Sequence, residues 1–259
     1  VRSFSSSSSN DHYRQSRGGV PRFFSQTLPS SKGGIVRVNG DEFWHMIKVL
    51  RLRINDRVEL FNGKGDLVEG RIDNIDHAGV DFEALENLKS VSPHSIQCHV
   101  FAAFGSLKGG RADWLVEKCT ELGASSLTPL LTERSHKIGE NRIERLQRVV
   151  LASAKQCQRL HEMALKPPIG ITKLLSVVGE SRLSFVGVAE AAPLFHTLSS
   201  LKHDKHGVII IGPEGDLSEE ELKRVVEGGA IPCSLGPHRL RVETAAITLL
   251  SALMLWSDS

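Results

Sequence analysis

The chain has no Gly-x-Gly-x-x-Gly after a strand and no Gly-x-x-x-x-Gly-Lys-[Ser/Thr], so dinucleotide and P-loop sites lack support. A Gly-x-Ser-x-Gly elbow is missing too, and no Ser, His and acid are set out as a nucleophilic triad. Cysteine is scarce: Cys98, Cys119, Cys157 and Cys233 are far apart, lie in apolar contexts, and show neither Cys-x-x-Cys nor the histidine spacing of a zinc site. They read as buried free thiols of a reducing compartment, and the 11 scattered histidines point to no metal site. An excess of either charge is also lacking. Lys and Arg number 32 against 30 Asp and Glu, a formal net charge of +2, so nucleic-acid binding has to come from local patches.

What is present fits a globular protein. With 259 residues, 40% hydrophobic and 24% charged, the chain is long enough for one large domain or two modest ones. The first 19 residues stand apart: Ser5 to Ser9, Arg14 and Arg17 with the single acid Asp11 have the composition of an organelle transit peptide, and the absence of an initial Met reads as a trimmed or partial start. A tail without an address has the same composition.

The rest is organised around the last fifty residues. Val208-Ile209-Ile210-Ile211, between Gly207 and Gly212-Pro213, predicts a central strand buried on both faces of a parallel sheet. Glu214-Gly215-Asp216 turns the chain, and Ser218 followed by Glu221 fits a helix capping box. A second strand is predicted over Ile231 to Leu235, then a loop Gly236 to Val242, then a helix from about Glu243 to Trp256. Ligand clefts of parallel α/β sheets form at the carboxyl ends of strands, so the two loops are placed to line one pocket. The last helix is apolar almost all round but too short and interrupted to span a bilayer, which needs roughly 20 apolar residues. It is expected to pack against its own domain on one face and a partner subunit on the other.

At these residues the sequence resembles a known family. Gly212-Pro213-Glu214-Gly215, Leu235-Gly236-Pro237 and Leu240-Arg241-Val242-Glu243-Thr244-Ala245 are similar to the signature of the RsmE family, ribosomal RNA uridine-N3 methyltransferases of the SPOUT superfamily. Asp216-Leu217 and Val242 depart from it, standing where Gly-Phe or Gly-Leu and Thr are more usual.

Upstream, Val58 to Phe61, Leu67 to Ile75 and Val80 to Leu85 read as strands, with a turn at Asn62-Gly63-Lys64-Gly65 and a short helix over Asp41 to Val49. The resemblance makes residues 20–92 a PUA-like β-barrel that helps hold RNA, opening at Pro21-Arg22-Phe23-Phe24. Lys48, Arg51, Arg53 and Arg57 cluster in sequence, either as phosphate contacts or as a solvated basic surface. From residue 93 onward, strands are predicted at Ile96 to Phe104, Leu127 to Leu131 and Leu183 to Ala189. A helix carrying Leu115, Val116, Cys119 and Leu122 ends at Gly123. A long helix from about Asn141 to Met163 sets Arg148, Lys155 and Arg159 opposite its apolar face. Lys108-Gly109-Gly110-Arg111-Ala112-Asp113-Trp114, Thr132-Glu133-Arg134, Gln156 and Arg159 resemble further family segments, which implies RNA contacts at Arg22, Lys108, Arg111, Arg134, Gln156 and Arg159.

Strands alternating with helices give an α/β domain, and patterning alone predicts an unknotted sheet. The resemblance implies instead a SPOUT domain with a C-terminal trefoil knot, whose loops bind S-adenosylmethionine. It assigns Glu190, Ile211, Gly212, Pro213, Glu214, Gly215, Leu235, Gly236, Leu240, Arg241, Thr244 and Ala245 to the donor pocket. Arg241 would stabilise charge on the uracil, with Glu243 orienting Arg241 or accepting a proton. It further implies a homodimer acting on small-subunit ribosomal RNA or the assembled small subunit, while the residues themselves lead to no expected membrane or metal and the leader composition points to an organelle, a chloroplast before a mitochondrion. A non-catalytic ribosome-assembly factor and a methyltransferase of tRNA remain open alternatives.

Overall fold

The structure is a computed structural model that describes residues 19–257 except Ser106, Gly109, His136, Lys137 and His203. The leader expected over the first residues lies outside the described residues. The chain forms two compact units, one running to Pro93 and including Gln158–His161, the other formed by His94–Cys157 and the chain from Glu162.

The first unit is built on one sheet. Its elements are β1 (Arg22–Phe24), β2 (Ile35–Val38), α1 (Gly40–Trp44), β3 (Arg57–Phe61), β4 (Asp66–Ile75), β5 (Val80–Ala84) and β6 (Lys89–Ser90), and α1 continues as a π turn over His45–Val49. The strand order is β1-β3-β4-β5-β2, with β6 on β4; β1 runs parallel to β3 and the other pairs are antiparallel. Alternate residues (Val58 and Leu60, Val68 and Ile72, Val80 and Phe82) turn inward with Phe23, Val38 and Met46 to form one core, as period-two patterning requires. Gly70 has to be glycine: a Cβ there would lie 2.2 Å from the Glu83 carbonyl oxygen and 2.3 Å from the Phe82 ring. The Asn62 side chain accepts from the Lys64 and Asp66 amides and shapes the predicted turn, in which Gly63 and Gly65 take φ of 72° and 99°.

The second unit contains β7 (Gln97–Ala102), α2 (Arg111–Glu121), β8 (Ser126–Leu131), α3 (Glu140–Gln156), β9 (Ala164–Leu165), β10 (Ile169–Gly170), α4 (Ile171–Glu180), β11 (Leu183–Gly187), α5 (Leu194–Ser199), β12 (His206–Ile211), α6 (Glu219–Glu227), β13 (Ile231–Cys233) and α7 (Val242–Ser257). The main sheet is parallel in the order β10-β8-β7-β12-β11-β13, and β9 also pairs with β8. The apolar run of β12 is central, as expected. Ile209 and Ile211 face one core with α2, α3, α5 and α7, while Val208 and Ile210 face a second core with α4 and α6. Three layers result, and both faces of the sheet are covered.

Local signals held at several ends. Gly123, at φ 94°, follows the last turn of α2, and the Ser218–Glu221 capping box starts α6. One element differs: α3 stops at Gln156, not near Met163. Gln158 takes φ 55°, and Leu160 leaves the helix to be buried with Phe61 and Leu67 in the first unit. Burial of that leucine decides the end of the helix. There the Leu160 carbonyl accepts from the Gly65 amide at 2.8 Å, and the His161 ring bonds the Val91 carbonyl at 2.8 Å. No described helix is long and apolar enough to cross a membrane.

Candidate active site

The carboxyl ends of β11, β12 and β13 open into one cleft that encloses about 560 Å³ of empty space, part of it continuous with solvent. Three loops line it: Val188-Ala189 after β11, Gly212 to Asp216 after β12, and Leu235 to Val242 after β13. The first and third are tied together, because the Val188 amide donates to the Cys233 carbonyl at 2.9 Å and the Ser234 amide to the Ala192 carbonyl at 2.8 Å. Gly236 sits at φ 124°, a left-handed conformation that favours glycine. At Gly212 a Cβ would stand 3.1 Å from the Leu217 amide nitrogen, so the second loop closes tightly on itself.

Charged groups join the loops. Arg239 Nη2 donates to the Glu214 carbonyl at 2.8 Å and to Asp216 Oδ2 at 2.6 Å, linking the second loop to the third. Arg134 Nη1 donates to the Gly215 carbonyl at 2.7 Å, and the Glu133 amide to Glu221 Oε1 at 2.8 Å. Asp216 holds φ 60°, where the RsmE pattern more often has glycine. Burial pushes the Cys233 thiol up to about 12, so this cleft-lining cysteine stays a neutral thiol near pH 7.

Eight residues expected in the donor pocket line the cleft: Ile211, Gly212, Pro213, Glu214, Leu235, Gly236, Leu240 and Ala245. Glu190, Gly215, Arg241 and Thr244 do not. Glu190 is exposed in a turn beyond Ala189, because β11 ends at Gly187 and Val188 and Ala189 take up the position at the strand end. Arg241 is exposed directly before α7, between lining residues Leu240 and Val242.

The expected Arg241–Glu243 pair is not formed. Residues two apart at a helix start do not face each other. Glu243 is only 4% exposed; its Oε1 lies 3.6 Å from Arg111 Nη1, and its Oε2 has no hydrogen-bond partner. Arg111 also lies 3.7 Å from Glu214 Oε1. The α2 start thus meets both signature segments, a relation the sequence spacing did not reveal. Gly187, Val188, Ala189, Asp216, Cys233, His238, Arg239 and Val242 line the cleft without having been assigned to the donor pocket. His238 and Arg239 stood inside the predicted loop, whereas Gly187 to Ala189 needed the true end of β11.

The RNA candidates are dispersed. Arg22 is held by Glu59 through two contacts of 2.9 and 2.8 Å, and Arg57 pairs with Glu69. Lys48, Arg51 and Arg53 are exposed in the first unit, with Arg51 at φ 55°. In the second unit Lys108 and Gln156 are exposed, Arg134 is bonded to Gly215, and Arg111 lies between two carboxylates. Arg159 is off α3 altogether: its Nε donates to the His161 carbonyl within the first unit, so it shares no helix face with Arg148 and Lys155.

Residues 94–254 match the RNA methyltransferase domain family, and residues 38–85 match the RNA methyltransferase PUA domain. The chain belongs to the RNA methyltransferase domain family, with a PUA-like unit in front, which is the class that the fold and cleft indicate. Within it, relatives from several bacteria carry the name ribosomal RNA small subunit methyltransferase E. Ribosomal RNA small subunit methyltransferase E of Bacillus subtilis (strain 168) is 27% identical over 241 residues, covering 83% of this chain and 88% of its own. The protein of that name from Synechocystis is 28% identical over 214 residues, covering 81% and 69%. Among solved structures, a methyltransferase of Legionella pneumophila with bound S-adenosylmethionine superposes with a TM-score of 0.71 at 26% identity, over 92% of this chain and 98% of that one. The small subunit methyltransferase E of Neisseria gonorrhoeae shares the fold with the same TM-score and coverage at 24% identity.

The residues present fit such a donor. Leu235, Leu240, Val242 and Ala245 offer apolar walls, Gly212 and Gly236 leave backbone open to close approach, and Glu214 and Asp216 put carboxylates beside a cationic ligand.

Proposed function

We propose that the protein uses S-adenosylmethionine to methylate N3 of a uridine in small-subunit ribosomal RNA. The observation that carries this reading is the single cleft formed by both signature loops at the carboxyl ends of β11 to β13. When bound, the donor supplies a methyl group activated on a sulfonium sulfur. The loops hold the donor through backbone at Gly212 and Gly236, and the apolar wall from Leu235 to Ala245 excludes water. Methyl transfer to uracil N3 would leave the donor as its neutral thioether and pass the imide proton to solvent water. Arg241, exposed beside the cleft, stabilises the negative charge that develops on the uracil carbonyls as that proton leaves.

The excursion of the chain from β11 to β12 and back to β13 on the far side of β11 supports a knotted C-terminal segment. Leu255, an apolar side chain left 75% exposed on the largely apolar α7, supports a homodimer packed through that helix. The PUA-like unit is assigned to holding RNA through Lys48, Arg51 and Arg53. An organelle address, chloroplast before mitochondrion, rests on the composition of the first 19 residues.

The test is transfer of labelled methyl from S-adenosylmethionine to small ribosomal subunits, and to their naked RNA, lacking native N3-methyluridine. Label recovered as 3-methyluridine is expected; donor binding without label in either substrate would move the search to other RNAs.

A further inference from the structure

In the first unit, the two sides of the segment from α1 to Leu52 differ. Met46 is fully buried in the core of the unit, and Phe43, Ile47 and Leu52 pack against that core. Trp44 is not among them: it stands 59% exposed at the end of α1, where the chain passes into the π turn over His45–Val49. Lys48 follows one turn later on the same side and is exposed as well. Such π turns are rare and are frequent at functional sites. Core packing does not account for a tryptophan held in water close to two further exposed apolar residues, Val49 and Leu50.

The cations that follow Trp44 in the chain differ from those on the strands. Arg22, Arg37, Arg57 and Arg71, one on each of β1 to β4, are each held by a carboxylate. Lys48, Arg51 and Arg53 are exposed and form no ion pair with a described residue. Arg51 is also strained. At φ 55° it takes the place after the helix end where glycine is usual, while the Leu52 amide closes on the Met46 carbonyl at 3.0 Å. Glycine would relieve that turn, so the arginine is there for its side chain. Asp41 lies one turn before Trp44 and repels phosphate, which confines a polyanion to the side of Lys48, Arg51 and Arg53.

We propose that Trp44 is a stacking platform for an unpaired base of RNA, whose neighbouring phosphates lie along Lys48, Arg51 and Arg53. The inference rests on the assignment of the first unit to RNA above and names the form of RNA that it takes. Cations alone accept single strands and duplexes alike, whereas an exposed aromatic face among them favours a strand whose bases are free to stack. Every base has such a face, so the platform captures an unpaired segment without reading its sequence.

The experiment is binding of the full chain to a single-stranded RNA of about twelve nucleotides and to the same strand annealed to its complement, across a range of salt. Trp44→Ala is expected to weaken single-strand binding about tenfold, with the salt slope unchanged and duplex binding within about twofold. Trp44→Phe keeps part of the affinity, and the single strand quenches tryptophan emission less in that variant than in the wild type. Equal losses for both RNAs, or unchanged single-strand affinity in Trp44→Ala, would overturn the inference alone where Arg51→Ala with Arg53→Ala still weakens binding. If the wild type binds neither RNA, or that double variant binds as the wild type does, the assignment of the first unit to RNA fails and this inference with it.

Discussion

Arg239 Nη2 stands 2.6 Å from Asp216 Oδ2, so the loop after β13 is bonded to the loop after β12 across the wall of the cleft. Both side chains are largely exposed, at 64% and 72%, which places the pair among surface ion pairs worth about 0–1 kcal/mol. Its value lies in fixing where two pocket loops meet.

Asp216 also occupies φ 60°, a conformation that costs most non-glycine residues about 1 kcal/mol. Asp216→Gly loses the pair but relieves the backbone, so urea unfolding is expected to show a change within about 1 kcal/mol. Asp216→Ala loses the pair and keeps the strain. It should be the less stable of the two, and an Ala variant as stable as the Gly variant would contradict the conformational account.

Arg241→Ala should cripple transfer while leaving donor affinity nearly intact. Loss of one charge-stabilising donor lowers turnover by about 10²- to 10³-fold. Single-turnover kinetics with separate donor titration measures both; weakened donor binding with normal turnover would place Arg241 in the donor pocket instead.

Ser218→Ala removes the hydroxyl that accepts from the Glu221 amide and breaks the capping box of α6. The expected loss is about 1 kcal/mol. Calorimetry should show a lower midpoint for the second unit, and an unchanged midpoint would mean that the Glu221 side chain alone satisfies the helix start.

In the first unit, Arg51→Ala with Arg53→Ala is expected to flatten the salt dependence of RNA binding, since both side chains are exposed. Arg22→Ala should leave that slope unchanged, because its guanidinium is held by Glu59 at 2.8 Å. The readout is the slope of log affinity against log salt for each variant; a slope flattened equally by Arg22→Ala would bring that residue into the RNA footprint.

Elements whose cause is local were legible in the sequence. β12 follows from its β-branched run, the start of α6 from Ser218 and Glu221, the end of α2 from Gly123, and the turn before β4 from Asn62 and two glycines. The same holds for most of the cleft, because strand-end loops in a parallel sheet gather at one edge and both signature loops leave from that edge. What the sequence could not carry was direction and distance. The end of α3 depends on Leu160 finding Phe61 and Leu67, nearly a hundred residues earlier in the chain. Glu243 faces Arg111, not Arg241, because neighbouring positions at a helix start diverge while α2 is brought to α7 by burial of Leu115, Val116 and Ala246 in a common core. Periodicity within one segment determined which elements form and which residues are apolar. The packing of distant segments decided which charges meet, because an ion pair depends on separation in space, which residue spacing along the chain does not record.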